Sequence, residues 1–247
     1  MLNDPLIPRP VVSRDKWLAA RRALLAKEKE ATRLRDKVNA ERLALPWMKV
    51  EKNYVFDTPR GKKTLAELFD GRSQLMVYHF MFGPDWAAGC PGCSFLADHI
   101  DGALPHLEHH DVTMIAASRA PLAKIEAYKR RMGWRFPWVS AFGNDFNYDY
   151  HVSFTRDDLA SGKVFYNFDE TALGEGNDEL PGLSAFYKNE AGDIFHTYSS
   201  YARGPEELIG TLMLDRAPKG RNERTIMDFV RRHDEYEAPA KAQDCCA

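Results

Sequence analysis

Residues 75–97 read LMVYHFMFGPDWAAGCPGCSFLA, and the order of features within this stretch decides the fold. The nearly continuous apolar run of residues 75–82 predicts a central strand that is covered on both faces. A loop follows, then Cys90 and Cys93, and residues 94–107 place apolar side chains at helical intervals. The stretch therefore predicts a strand, a loop, a dithiol and a helix that begins at or just after Cys90.

The sequence on either side predicts further strands that alternate with helices. Such alternation indicates βαβ units and a parallel sheet, and a late hairpin with a turn at residues 189–192 would close that sheet. The predicted strands are residues 54–56, 112–117, 183–188 and 194–198, and the predicted helices are residues 64–69, 122–132, 206–214 and 225–236. The predicted fold class is therefore α/β, with a central mixed sheet.

The predicted organisation has three parts. Residues 1–48 form a helical extension, residues 49–215 form the α/β domain, and residues 216–247 form a helix and a flexible tail. Residues 142–177 contain several turn residues and are interpreted as an insertion in the domain.

One long helix is predicted for residues 14–45, which contain neither Gly nor Pro and follow Ser13, a good N-cap. Its apolar residues form a narrow stripe at heptad-like spacing, which requires a partner surface. That surface is either the protein's own domain or a second copy of the chain in a homodimer. The stripe consists of Trp17, Leu24, Leu25, Ala31, Leu34 and Val38.

The composition excludes several classes of partner. The 247 residues include 34 basic and 36 acidic side chains, so the chain has no general charge excess for nucleic acid or an anionic membrane. No apolar run approaches the roughly 18 residues of a membrane-spanning helix, and residues 1–10 lack the layout of a signal peptide. The expected location is the cytoplasm, with neither a membrane nor a nucleic acid as partner.

The dithiol is the strongest chemical signal in the sequence. A thiolate at a helix N-terminus is stabilised by free backbone N–H groups, and a lowered pKa makes the first cysteine a nucleophile. Two intervening residues let the second sulfur attack the mixed disulfide. Cys90 is therefore the predicted nucleophile and Cys93 the predicted resolving thiol, with Pro91 well placed at the first helical position.

At this point the chain resembles the thioredoxin superfamily, in its peroxiredoxin-like branch. The opening segment at residues 54–69 and the strand at residues 136–140 are similar to elements of that branch. The resemblance implies a thioredoxin-like three-layer sandwich preceded by the long helix. It also implies that Pro181 is the candidate cis-proline facing the dithiol and contacting substrate backbone, and that Trp86 lies beside the site. The predicted substrate-binding residues are therefore Pro181, Trp86 and Pro91.

Residues 78–93, with residues 130–134 and 145–149, more closely resemble a bacterial thioredoxin-like family of unassigned function. Two departures from thioredoxin stand out. The dipeptide between the cysteines is Pro-Gly and not Gly-Pro, and Trp86 lies four residues before Cys90 and not next to it. The peroxidatic Thr-x-x-Cys of peroxiredoxins is also absent, because Ala87 occupies the threonine position.

The leading hypothesis is a thiol-disulfide oxidoreductase without a bound cofactor, which acts on a protein or small-molecule disulfide and uses an external thiol reductant. Two alternatives stay open. The chain could be a copper or zinc carrier that uses Cys90 and Cys93, with His79 as a third ligand. It could also be an assembly protein with a vestigial dithiol. The adjacent Cys245 and Cys246 are interpreted either as a thiol shuttle or as an incidental exposed tail.

Overall fold

The computed structural model describes residues 10–173, 178–202, 208–221, 223–225 and 227–236. It divides the chain into two units, Met1–Trp47 and Met48–Ala247. The first unit contains helix α1, Arg14–Leu43, and the Ser13 hydroxyl accepts a hydrogen bond from the Lys16 N–H, which confirms the predicted N-cap. No side chain of α1 is buried, and the stripe residues Trp17, Leu24, Leu34 and Val38 are exposed.

The described residues of the second unit form strands, short helices and two 3₁₀ turns. The strands are β1 Met48–Lys49, β2 Val55–Thr58, β3 Gly61–Thr64, β4 Gln74–His79, β5 Val112–Ser118, β6 Trp138–Ser140, β7 Lys163–Tyr166, β8 Asp169–Ala172, β9 Gly182–Lys188 and β10 Ile194–Tyr201. The helices are α2 Pro91–Ala97, α3 Ile100–His109, α4 Leu122–Arg131, α5 Phe146–Asp149, α6 Arg156–Ser161 and α7 Ile209–Leu214. The 3₁₀ turns are Glu67–Phe69 and His233–Glu235.

Eight strands form one mixed sheet in the order β1-β10-β9-β4-β5-β6-β2-β3, and β7 and β8 form a separate hairpin. Strand β4 pairs in parallel with β5, with Val77 opposite Ile115, and β5 pairs in parallel with β6. On its other side β4 pairs antiparallel with β9, which continues into β10. A parallel βαβ unit beside an antiparallel hairpin, with the dithiol at the start of the crossover helix, is a thioredoxin-like fold.

The two faces of the sheet carry different cores. Tyr78 and Phe80 face a cluster formed with α2, α3 and α4, which also contains Cys93. Leu75 and Val77 face the opposite cluster, which the first 3₁₀ turn and α5 cover. Since successive strand residues point to opposite faces, the apolar run of β4 serves both cores, as the sequence predicts.

The predicted single helix over residues 94–107 is wrong, because the chain breaks between α2 and α3. Asp98 ends α2, and its carboxylate accepts a hydrogen bond from the Trp134 indole at 2.8 Å. His233 Nδ1 lies 2.6 Å from the same carboxylate oxygen. The helix stops at this break, and the Asp98 carboxylate there forms hydrogen bonds to residues that are distant in the sequence.

The predicted helix over residues 225–236 is also wrong. The described part of this stretch consists of turns and the His233–Glu235 3₁₀ turn. Met227 has a φ of +61°, in the left-handed region, and a right-handed helix cannot pass through such a residue. The segment instead uses its side chains for contacts near the dithiol.

The predicted insertion contains α5, α6 and the β7–β8 hairpin, apart from residues 174–177, which lie outside the described residues. The predicted flexible tail, with Cys245 and Cys246, also lies outside them. Helix α7 begins at Ile209, and residues 206 and 207 of the predicted helix lie outside the described residues. Within the described ranges, no helix combines the length and apolar composition needed to cross a membrane.

Candidate active site

The backbone fixes Cys90 where the loop after β4 meets α2. Its N–H donates to the Met81 carbonyl over 3.1 Å, and it is the N-cap of α2, with Pro91 as the first helical residue. The Cys90 carbonyl accepts hydrogen bonds from the Ser94 N–H at 2.9 Å and the Ser94 hydroxyl at 2.8 Å. The thiol is therefore held at the start of the helix, where backbone N–H groups have no helical partner.

Hydrogen bonding lowers the pKa of the Cys90 thiol to about 6. The largest cause is a hydrogen bond from the Cys93 thiol, and the N–H groups of Cys93 and Gly92 and the charge of Arg232 act in the same direction. Burial opposes these effects but is outweighed. Cys90 therefore carries a thiolate at neutral pH, which is the reactive form of cysteine.

Cys93 has the opposite character. Its side chain is only 2% exposed, and burial together with the neighbouring Cys90 raises its pKa well above the usual value. The Tyr78 hydroxyl and the Met81 N–H both hydrogen-bond its sulfur, the latter at 3.5 Å. The pair thus consists of a partly exposed thiolate in front of a buried, protonated thiol.

Arg232 connects the C-terminal segment to the cysteine loop. Its guanidinium donates to the Gly89 carbonyl at 2.6 Å and to the Tyr128 hydroxyl at 3.0 Å. It also pairs with Glu235 at 2.8 Å. The Tyr128 hydroxyl lies 2.9 Å from the Ser94 hydroxyl, so one chain of hydrogen bonds joins Arg232 to the start of α2.

Replacing Arg232 with methionine is expected to raise the pKa of Cys90, because a nearby positive charge stabilises the thiolate. The rise should be below about one unit, since Glu235 already offsets part of the guanidinium charge. The pH dependence of iodoacetamide alkylation at Cys90 measures the change, with a midpoint near pH 6 in the parent protein. Arg231→Met is the matched control, and an equal shift in that variant would contradict the assignment to Arg232.

A cavity of about 180 Å³ lies against both cysteines. Strands β9 and β10, helix α2 and the C-terminal segment all contribute to its walls. The described lining residues are Tyr78, Met81, Cys90, Gly92, Cys93, Leu96, Pro181, Gly182, Leu183, Ser200, Tyr201, Ala202, Leu208 and Met227.

Trp86 and Pro91 lie near the dithiol but are not among the residues that line this cavity. Trp86 packs against the same core cluster as Cys90, and its indole N–H donates to Asp178 at 3.2 Å. Lys124 donates to the carbonyls of Pro84 and Trp86 and so holds the loop. The substrate contacts predicted for Trp86 and Pro91 remain predictions.

Pro181 lies at the cavity with both cysteines, but its predicted cis peptide bond is wrong. All peptide bonds in the described residues are trans. The Pro181 carbonyl accepts a hydrogen bond from the Tyr166 hydroxyl at 2.7 Å, and the Leu180 N–H donates to the Val152 carbonyl at 2.8 Å. These bonds hold the trans backbone on both sides of the Leu180–Pro181 bond.

The structure separates His79 from the dithiol, so the three-residue metal site is wrong. His79 alternates with Tyr78 along β4, and Tyr78 is the residue that contacts Cys93. The His79 ring stacks with Phe146 and Tyr150 in the opposite core, and its Nε2 lies 2.8 Å from the Ser184 hydroxyl. Burial lowers its pKa to about 4, so the ring is neutral. No group of three or more His, Cys, Asp or Glu side chains suitable for a metal ion occurs among the described residues.

A buried ion-pair cluster lies behind the cysteine loop. Arg119 donates to Glu179 at 2.5 Å, to Asp178 at 2.7 Å and to the Tyr148 hydroxyl at 2.5 Å. Asp178 in turn accepts from Trp86. Arg119 thus links the loop before Cys90 to the segment that leads into Pro181.

Tyr78, Tyr128, Arg232 and Met227 were not predicted as site residues. The alternation of β4 could have identified Tyr78, because it shares a face with Phe80 and points toward the helix that carries Cys93. Arg232 lies 104 residues from Tyr128 in the sequence, and no local pattern indicates that contact.

Residues 7–236 match the family described as bacterial protein of unknown function (DUF899), and the chain belongs to that family. No curated protein matches the chain by sequence.

Several solved structures are similar to parts of the chain. A mutant of peroxiredoxin Q from Xanthomonas campestris is 13% identical, covers 60% of this chain and 79% of its own, and has a TM-score of 0.40. A mutant of PrxQ from Xylella fastidiosa is 14% identical, with coverages of 69% and 96% and a TM-score of 0.42. Peroxidoxin BcpB from Mycobacterium tuberculosis is 13% identical, with coverages of 64% and 85% and a TM-score of 0.39.

Proposed function

We propose that this member of the DUF899 family is a thiol-disulfide oxidoreductase, with Cys90 as nucleophile and Cys93 as resolving thiol. The observation that carries the proposal is the placement of the two sulfurs. A partly exposed Cys90 thiolate receives hydrogen bonds at the start of α2, and a buried Cys93 thiol lies directly behind it. This is the arrangement that two-step exchange requires.

In the first step, the Cys90 thiolate attacks one sulfur of the substrate disulfide. The Cys90–substrate S–S bond forms, the substrate S–S bond breaks, and the departing thiolate takes the electron pair and a proton from solvent. In the second step, Cys93 gives its proton to solvent and attacks the Cys90 sulfur. The Cys90–Cys93 bond forms, the mixed S–S bond breaks, and the second substrate thiolate leaves with the electron pair and takes up a proton. The cysteine pair is oxidised by two electrons, and the substrate is reduced to two thiols.

Tyr78 supports the second step. Its hydroxyl donates to the Cys93 sulfur, and this bond stabilises the thiolate that must form in a buried position. Burial raises the pKa of Tyr78 itself well above its ordinary value, so the hydroxyl stays protonated and remains a donor. Tyr78 is therefore a positioning residue for Cys93.

The cycle needs an external thiol that reduces the Cys90–Cys93 disulfide, and it needs no bound cofactor. Pairing of α1 with a second copy of the chain, a cytoplasmic location and the shuttle role of Cys245 and Cys246 remain predictions.

The experiment that tests the function is a redox titration of a variant with Cys245→Ser and Cys246→Ser, so that Cys90 and Cys93 are its only cysteines. Equilibration in glutathione buffers should show a reversible two-electron couple between about −120 and −270 mV. If Cys90 and Cys93 form no disulfide across that range, the proposed function is wrong.

A further inference from the structure

The cavity beside the dithiol is lined mainly by apolar side chains and is partly open to solvent. Pro181 and Leu183 form the β9 wall, and Leu96 of α2 forms another. Leu208 and Met227 cover it from the C-terminal segment, and the Met227 methyl group lies 3.3 Å from the point that a Cβ on Gly92 would occupy. A substrate group that reaches Cys90 through this cavity is therefore enclosed on several sides.

Two tyrosine hydroxyls at the cavity wall already have partners. The Tyr201 hydroxyl donates to the Tyr150 carbonyl at 3.0 Å, and the Tyr78 hydroxyl bonds the Cys93 sulfur. Among the described lining residues, the charged side chain is that of Cys90, as a thiolate. A carboxylate group that entered would lose its water beside this negative charge, which disfavours substrates that carry a carboxylate.

The positive charge of Arg232 lies near Cys90 but outside the lining of the cavity. The Arg232 guanidinium is not among the lining residues, and its nitrogens already donate to Gly89, Tyr128 and Glu235. Its positive charge therefore interacts with these groups and with the Cys90 thiolate.

The size of the cavity limits the group that it accepts. An apolar protein cavity of about 150 Å³ is large enough to hold a benzene molecule. The cavity here is slightly larger, at about 180 Å³. It fits a short aliphatic chain or one aromatic ring.

We propose that the substrate is a low-molecular-weight disulfide with an uncharged apolar substituent no larger than about one benzene ring. The proposal rests on the proposed thiol-disulfide exchange and names its substrate class. The apolar group occupies the cavity while Cys90 attacks the adjacent sulfur. One substrate thiol leaves in that step, and the second leaves when Cys93 closes the intramolecular disulfide.

The test compares three disulfides on the reduced protein with Cys245→Ser and Cys246→Ser. Dipropyl disulfide and bis(2-hydroxyethyl) disulfide have the same number of heavy atoms and differ only by a methyl or a hydroxyl group at each end. Dithiodipropionate adds carboxylates. The rate at which the protein reduces each disulfide is divided by the rate at which dithiothreitol reduces the same disulfide. This normalised rate is free of differences in intrinsic leaving-group reactivity.

The normalised rate for dipropyl disulfide is expected to exceed that for bis(2-hydroxyethyl) disulfide by about tenfold, with dithiodipropionate slower still. Equal normalised rates above the solution reaction would overturn the substrate class and leave the exchange function intact. Rates no greater than in solution for all three disulfides would contradict the exchange function itself.

Met227→Gly provides the matched structural test. Glycine adopts the left-handed conformation of Met227 without strain, so the variant opens the cavity while the turn is retained. The preference for dipropyl disulfide, given by the ratio of its normalised rate to that of bis(2-hydroxyethyl) disulfide, should fall at least several-fold in Met227→Gly. Asn167→Gly, also at a left-handed residue but in the turn between β7 and β8, should keep the preference. An undiminished preference in Met227→Gly would overturn the assignment of the cavity as the binding site.

Discussion

Replacement of Cys90 by serine is expected to reduce the rate of disulfide exchange by at least about 10³-fold, because the only partly exposed thiolate of the pair is lost. A serine hydroxyl does not ionise near neutral pH and cannot form the mixed disulfide. Cys93 cannot take over the attack, since it is buried and its pKa is raised. The rate of reduction of bis(2-hydroxyethyl) disulfide by the protein, with Cys245 and Cys246 also replaced by serine, measures the loss.

Cys93→Ser is the diagnostic partner of this variant. It keeps the nucleophile and lacks the resolving thiol, so it should accept one substrate thiol on Cys90 and then stop. Intact-protein mass measurement should show a single adduct per chain that dithiothreitol removes. An adduct on Cys93 in the Cys90→Ser variant, or none on Cys90 in Cys93→Ser, would reverse or remove the assigned roles.

The sequence was sufficient for the part of the site that is built from neighbouring residues. The apolar run of β4, the loop and the two cysteines at the start of α2 follow one another in the chain, and local pattern specifies their order. The parallel pairing of β4 with β5 follows from the same alternation of strands and helices. The order of β4, the loop, the two cysteines and the start of α2 was therefore predictable from the sequence.

The sequence was not sufficient where a residue's role depends on distant contacts. The stretch from Thr225 to Tyr236 has helical composition, yet Met227 takes a left-handed conformation and Arg232 reaches the Gly89 carbonyl. Tertiary hydrogen bonds and packing outweigh helix propensity there, since propensity differences are only fractions of a kcal/mol per residue. The placement of His79 was different, because alternation along β4 already assigns it to the face opposite Tyr78.

The ion-pair cluster around Arg119 connects stability to the geometry of the site. Glu179 is 1% exposed, and besides Arg119 it accepts a hydrogen bond from the Ser153 hydroxyl at 2.7 Å. The Asp178 carboxylate accepts hydrogen bonds from both the Arg119 guanidinium and the Trp86 indole N–H. The same arginine therefore holds the loop before Cys90 and the segment before Pro181, which form opposite sides of the cysteine site.

Arg119→Met is expected to lower the free energy of unfolding by about 1 to 2 kcal/mol at pH 8, because Glu179 loses its cation and must either stay charged in a buried position or take up a proton. Urea unfolding measures the change. The double variant Arg119→Met, Glu179→Gln should recover part of the loss, since it removes the uncompensated charge. Arg135→Met is the surface control, because Arg135 is 84% exposed and lies 3.7 Å from Asp101, and it should change stability by less than about 0.5 kcal/mol.

The pH dependence of this loss distinguishes a missing charge from missing packing. Burial raises the pKa of Glu179 from 4.5 to about 7, although Arg119 acts in the opposite direction. A folded-state pKa above the unfolded value gives stability that is present below pH 4.5 and is lost as the pH rises through 7. At pH 5 the Glu179 carboxyl is mostly neutral in the folded protein, so its effect on stability depends less on the positive charge of Arg119. The destabilisation by Arg119→Met should therefore be smaller at pH 5 than at pH 8, and an equal loss at both values would indicate that Arg119 acts through packing alone.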